Sequence, residues 1–200
     1  MDRRLACAAL VLTGPLALLF RALTQWLPPV PGFGLGLAVY WLLLAVALWR
    51  HRGWSLRPAR PGLPAIHGLV LLAGLAAPSG LPALVRLSPH VLAAVLLAAA
   101  LNGALEEAFW RGALLPRLRS WRDSLAPGLI FVLWHLAPLA GAVAFRPAGM
   151  AALQLLGGAA LLAVPATLAR LRGGTAGAGA IGHALVNVLT FATVAAHAPG

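Results

Sequence analysis

The sequence predicts an all-α protein, a polytopic membrane helix bundle of about seven transmembrane helices, and three observations carry that prediction. Of its 200 residues, 61% are hydrophobic and only 10% are charged, whereas a soluble domain carries about a quarter charged residues. Its apolar runs approach or exceed the ~20 residues needed to cross a bilayer. They are separated by short breaks rich in Pro, Gly and Arg. The runs cover nearly the whole chain, so residues 1–200 are read as a single integral membrane domain whose surface is solvated by lipid.

The candidate spans are 5–27, 33–49, 64–80, 89–112, 125–145, 148–170 and 175–197. The first follows Met1-Asp2-Arg3-Arg4 and has the look of a signal peptide. More spans follow and no small-residue cleavage site is evident, so it is read as a retained membrane helix. The third is the weakest, because Gly74, Pro78 and Gly80 interrupt its end. Leu81 to Leu87 is too short to cross, which predicts a re-entrant turn or an interfacial loop; an eighth span follows if the region 64–89 holds two. Breaks are expected at Pro28-Pro29-Val30-Pro31, at Arg57-Pro58-Ala59-Arg60-Pro61 and at Arg172-Gly173-Gly174. Six of the tryptophans are expected near span ends, as interface anchors. Trp134 is the exception and is expected to line an internal cavity.

All 15 basic residues are Arg. They lie between apolar runs and form no continuous basic face, which argues against nucleic acid as a partner. A single Cys7 permits neither a disulfide framework nor a cysteine metal site. Threading seven spans with the N-terminus cytoplasmic places eleven Arg inside and three outside, with Arg111 left within a helix. The inside set is Arg3 and Arg4, then four residues in 50–60, three in 117–122, and finally Arg170 and Arg172; Arg21, Arg86 and Arg146 are outside. This alternation follows the positive-inside rule. The expected location is a bacterial inner membrane.

Ionisable side chains at membrane depth are costly and mark functional sites. The chain has four acids: Asp2 and Asp123 lie at span ends, while Glu106 and Glu107 are adjacent inside the fourth span. Glu107 and Arg111 are i and i+4, so they share a helix face and can pair. Glu106 points roughly 100° away, which leaves its carboxylate free for proton transfer. His135 lies in the fifth span, and His183 and Asn187 lie one turn apart in the seventh. Under the threading above, Glu106 is near the cytoplasmic end of its span, with His135 about 15 Å and His183 about 12 Å deep at 1.5 Å per residue. All three therefore fall in the same half of the bilayer. His51, His67, His90 and His197 fit such a site poorly. A buried ion pair that only locks helices together is the structural alternative.

Glu106-Glu107-Ala108-Phe109-Trp110-Arg111-Gly112 resembles the EExxxR motif of the CPBP (CAAX protease and bacteriocin-processing) family, which includes the type II CAAX prenyl endopeptidases. Phe131 to His135 is similar to that family's FxxxH motif, and His183 to Asn187 to its HxxxN motif. The three occur in family order over roughly residues 95–192, within a motif-bearing core at about 89–197. The resemblance implies an intramembrane endopeptidase, a hydrolase acting on a peptide bond of a membrane-anchored protein or peptide. By that likeness Glu106 is the base and His135 helps hold the attacking water. His183 and Asn187 stabilise the oxyanion, while Glu107 and Arg111 order the site. The family has also been called metalloprotease, and Glu106, His135 and His183 form a conceivable zinc ligand set. HExxH is absent, and the reading adopted is a glutamate-activated water without obligatory metal. Other members of the family are linked to bacteriocin maturation or self-immunity. The rival functions are a proton-coupled transporter and a non-catalytic immunity or scaffold protein; no inverted repeat of the transporter kind is evident.

Overall fold

The computed structural model describes residues 1–196. His197, and with it the last residue of the predicted seventh span and catalytic core, lies outside the described residues. Among the described residues there are helices and no strands. The helices are α1 Arg3–Trp26, α2 Pro29–Arg50, α3 Leu63–Arg86, α4 Pro89–Glu107, α5 Leu125–Trp134, α6 Leu136–Ala142, α7 Ala148–Ala152, α8 Gly158–Gly173 and α9 Gly177–Ala196. A π-helical turn, Ala108–Ala113, continues α4, a 3₁₀ turn, Trp121–Ser124, leads into α5, and a second π-helical turn, Leu153–Gly157, joins α7 to α8. Together they make seven segments long and apolar enough to cross a membrane: α1, α2, α3, α4 with its π turn, α5–α6, α7–α8 and α9. The protein is thus an all-α integral membrane protein.

Local chemistry sets the ends. The Asp2 carboxylate accepts hydrogen bonds from the backbone N–H of Arg4 (2.9 Å) and Leu5 (3.1 Å), capping α1. Proline opens α2 and α4, where its missing N–H costs nothing. Gly174 ends α8 with φ +69°, a left-handed cap that favours glycine.

The structure corrects the prediction for Leu81 to Leu87. This segment is neither a re-entrant turn nor a loop, because α3 runs on to Arg86 through Pro78 and Pro82. A proline ring crowds the carbonyl four residues before it, and inside a membrane a helix is retained because no water is there to satisfy an opened backbone. The region 64–89 therefore holds one span, not two.

Helices in lipid gain little from the hydrophobic effect and associate through close packing of small residues. Helix α9 packs chiefly against α4 and α3, and α1 against α2 and α6. At the α4–α9 crossing, a Cβ on Gly103 would lie 2.7 Å from the backbone nitrogen of Ala184, so only glycine allows this approach. The main core gathers Phe20, Tyr40, Leu44, Trp110, Phe131 and Trp134. Lipid-facing positions such as Val11, Leu18, Val70 and Val85 remain exposed.

A few contacts tie the predicted Arg-rich ends to one face. The Asp2 N–H donates to the Leu114 carbonyl at 2.8 Å and the Ala176 N–H to the Ser55 carbonyl at 3.0 Å; the two pairs are joined by His51 Nδ1, 3.8 Å from Asp2 Oδ2, and by Arg170 Nε, which donates to the Arg111 carbonyl at 3.0 Å. The N-terminus, the 51–62 connection, the end of the π turn and the start of α9 therefore meet at one end of the bundle.

Candidate active site

The end of α4 carries both glutamates into the bundle, with Glu106 2% and Glu107 0% exposed. The Arg111 Nη1 donates to Glu107 Oε1 at 3.0 Å, the i, i+4 pair expected from the sequence. The widened π turn between them keeps Arg111 inside, 3% exposed, with its guanidinium 4.3 Å from the centre of the Phe131 ring. Such π turns recur at functional sites. Periodicity reads Ala108–Ala113 as ordinary α-helix, so this feature is not visible in the sequence.

His135 occupies the break between α5 and α6. Its Nδ1 lies 2.8 Å from the Phe131 carbonyl. A carbonyl can only accept, so Nδ1 carries the proton and donates; in the neutral ring, Nε2 is then left as an acceptor. That Nε2 is 3.9 Å from Glu106 Oε2. His183, on α9, reaches the same oxygen from the other side, with its Nε2 at 3.8 Å. Its Nδ1 is 3.2 Å from Glu107 Oε1. Glu107 is paired with Arg111 and accepts, so Nδ1 of His183 is again the donor.

Three spans thus converge on one oxygen. Glu106 Oε2 is buried with no hydrogen-bond partner, and so is the Asn187 Nδ2, one turn beyond His183. Buried polar atoms are almost always satisfied, so the unpaired Glu106 Oε2 between two imidazoles marks a place where something is meant to bind. Gaps of 3.8 and 3.9 Å are too long for hydrogen bonds and suit a bridging water.

One member of the site is missed by sequence reading. Tyr40, from the middle of α2, donates its hydroxyl hydrogen to Glu106 Oε1 at 2.5 Å. The signal was present: this is the chain's single tyrosine, at mid-span, where a phenol hydroxyl needs a partner. Its ring packs on Trp134 at 5.6 Å, and Trp134 on Trp110 at 5.9 Å. Trp134 therefore sits beside the site. Trp110 corrects the prediction for it: at 1% exposure it is a core residue and not an interface anchor. Its π turn directs it inward, whereas Trp26, Trp49, Trp54 and Trp121 are exposed. Trp41 is half-buried, with its indole N–H donating to Asn102 Oδ1 at 2.8 Å.

The donor types of Glu106, His135 and His183 are those zinc accepts, and each His has its other nitrogen fixed as metal-binding imidazoles usually do. The spacing is less suitable. Ligands about 2.0–2.1 Å from a tetrahedral zinc stand closer to one another than 3.8 and 3.9 Å. No group of three His, Cys, Asp or Glu among the described residues has the arrangement of a metal site. As placed, these residues do not fit zinc.

The family model described as type II CAAX prenyl endopeptidase, Rce1-like, matches residues 88–189, just over half of the chain. That stretch contains Glu106, Glu107, Arg111, His135, His183 and Asn187, while Tyr40 lies outside it. No curated protein matches the chain, and no solved structure does. With an intramembrane carboxylate pair, two convergent histidines and this family match, the chain belongs to the Rce1-like family of type II CAAX prenyl endopeptidases, a protease family whose members hydrolyse peptide bonds.

Proposed function

We propose that the protein cleaves a peptide bond of a membrane-associated protein or peptide with a water activated by Glu106. The observation that carries this reading is the unpaired, buried Glu106 Oε2, faced by the Nε2 atoms of His135 and His183 at 3.9 and 3.8 Å. A water in that gap donates one hydrogen to Glu106 Oε2 and the other to the neutral His135 Nε2. Its lone pair is then free to attack the scissile carbonyl carbon. As the new C–O bond forms, Glu106 takes the water's proton and later delivers it to the departing amine, which is general base then general acid catalysis.

The oxyanion needs donors. Asn187 Nδ2 is an unspent one. His183 commits Nδ1 to Glu107, so it can donate from Nε2 only as the imidazolium. In that state the site balances, with Glu107 against Arg111 and Glu106 against His183. A preorganised pair of donors in a dry site is worth far more than the same pair in water. No step requires a metal.

The gathering of the Arg-rich ends at one face supports a cytoplasmic N-terminus and a site reached from the cytoplasmic half, by the positive-inside rule. The test is cleavage of membrane-anchored fluorogenic peptides, including a farnesylated peptide with a CAAX terminus, by the purified full chain. Glu106→Gln is expected to lower kcat by about 10²–10⁴-fold with the fold retained. Wild-type cleavage by Glu106→Gln would refute the role of the base.

A further inference from the structure

We infer that Tyr40 is a positioning residue for hydrolysis, fixing which oxygen of Glu106 acts as the base; the inference rests on the reading of Glu106 given above. A carboxylate has two equivalent oxygens and rotates about its last torsion with little preference. In this site the oxygens are not equivalent. Oε1 accepts the Tyr40 hydroxyl at 2.5 Å, and Oε2 alone faces the two histidines. A charge-assisted O–H···O⁻ bond is short and strong, so it holds the carboxylate plane and directs Oε2 at the water site.

The hydroxyl is itself held. Tyr40 is 2% exposed, with its ring tilted at 44° against Trp134. Among the described residues no other hydrogen bond to Glu106 Oε1 is found. Trp41, one residue on, faces a different partner, donating to Asn102 one turn earlier on α4. Two neighbouring side chains of α2 thus grip successive turns of α4, which fixes the height of α4 against α2 as well as the carboxylate's rotation.

Tyr40→Phe removes the hydroxyl and keeps the ring. Hydrogen bonds to charged groups are worth enough to change a rate about tenfold when lost. The expected result is a kcat lowered about tenfold on the farnesylated CAAX peptide, with KM within about twofold, since the ring packing and the peptide's own contacts are kept. A merely structural tyrosine would leave kcat unchanged once thermal unfolding shows a folded variant, and that result overturns the inference.

A second measurement needs no substrate. Because Tyr40 is the only tyrosine, the infrared C–O stretch of ring-labelled tyrosine reports this one hydroxyl. Glu106→Gln replaces a carboxylate with a weaker neutral acceptor, so the band is expected to move toward that of a weakly bonded phenol. An unchanged band overturns the inference even where Glu106→Gln is inactive, which leaves the base itself standing. Wild-type cleavage by Glu106→Gln removes the base, and the inference with it.

Discussion

Replacing Arg111 with Met removes one charge of a pair with nowhere to go. The Arg111 guanidinium and Glu107 carboxylate are 3.0 Å apart, 3% and 0% exposed. Neither water nor salt screens them appreciably. Removing one partner of a buried pair costs about 3–5 kcal/mol, because the other charge stays buried and uncompensated. The guanidinium also lies 4.3 Å from the Phe131 ring centre, a contact worth about 1–2 kcal/mol when dry. Arg111→Met is therefore expected to lose about 4–7 kcal/mol. The double variant Arg111→Met with Glu107→Gln should recover much of this. Both charges are gone, and the Gln oxygen still accepts from His183 Nδ1, which stands 3.2 Å from Glu107 Oε1. Neutral replacement of a whole buried pair is often close to neutral, so the double variant is expected to be more stable than Arg111→Met by about 2–3 kcal/mol, a coupling typical of contacting residues. Unfolding of the full chain by SDS in mixed micelles, followed by the fluorescence of buried Trp110 and Trp134, measures both. Equal stabilities for the single and double variants would refute the argument, as would a loss under about 1 kcal/mol for Arg111→Met.

Asn187→Ala should reduce kcat by about 10²–10³-fold with little change in unfolding, since its Nδ2 has no hydrogen bond to lose; a stability loss without a rate loss would contradict its role as an oxyanion donor. Gly103→Ala inserts a methyl at 2.7 Å from the Ala184 backbone and is expected to cost about 1–3 kcal/mol and to lower kcat further by moving His183 away from Glu106; SDS unfolding and peptide cleavage check the two effects separately. Incubation with a zinc chelator is expected to leave cleavage within about twofold of untreated enzyme, and abolition restored by added zinc would overturn the metal-free route. Gly179→Ala places a methyl 2.9 Å from Glu107 Oε2, so cleavage should fall with no change at Glu106 itself, measured as kcat.

Much of the fold was legible because the bilayer imposes one length and one polarity on every span. Arg positions marked the ends, and the structure gathers several of those ends at one face. The depth of Glu106, His135 and His183, counted along three separate helices, anticipated their convergence. Helical spacing also anticipated the Glu107–Arg111 pair. What failed did so for physical reasons. Pro78 and Pro82 are breakers in water, but a helix in lipid keeps its remaining hydrogen bonds and runs through them. The π turn at Ala108–Ala113 adds a widened turn that no hydrophobic period records, and it carries Trp110 from the expected interface into the core. Tyr40 escapes a motif reading because a partner contributed from 66 positions earlier leaves no local pattern beside the residue it serves.

That last contact changes how the two halves of the molecule should be regarded. The family match begins at residue 88, which invites a view of α1–α3 as an interchangeable anchor for a catalytic module. Yet the Tyr40 hydroxyl closes the carboxylate's coordination from outside that module, so the inherited signature and the working unit have different borders. A chimera that keeps residues 88–189 and borrows foreign leading helices would inherit every recognisable motif while leaving Glu106 Oε1 without its donor. Co-expression of a severed α1–α2 fragment with the remainder is then expected to restore to Glu106 Oε1 the donor that the remainder alone lacks.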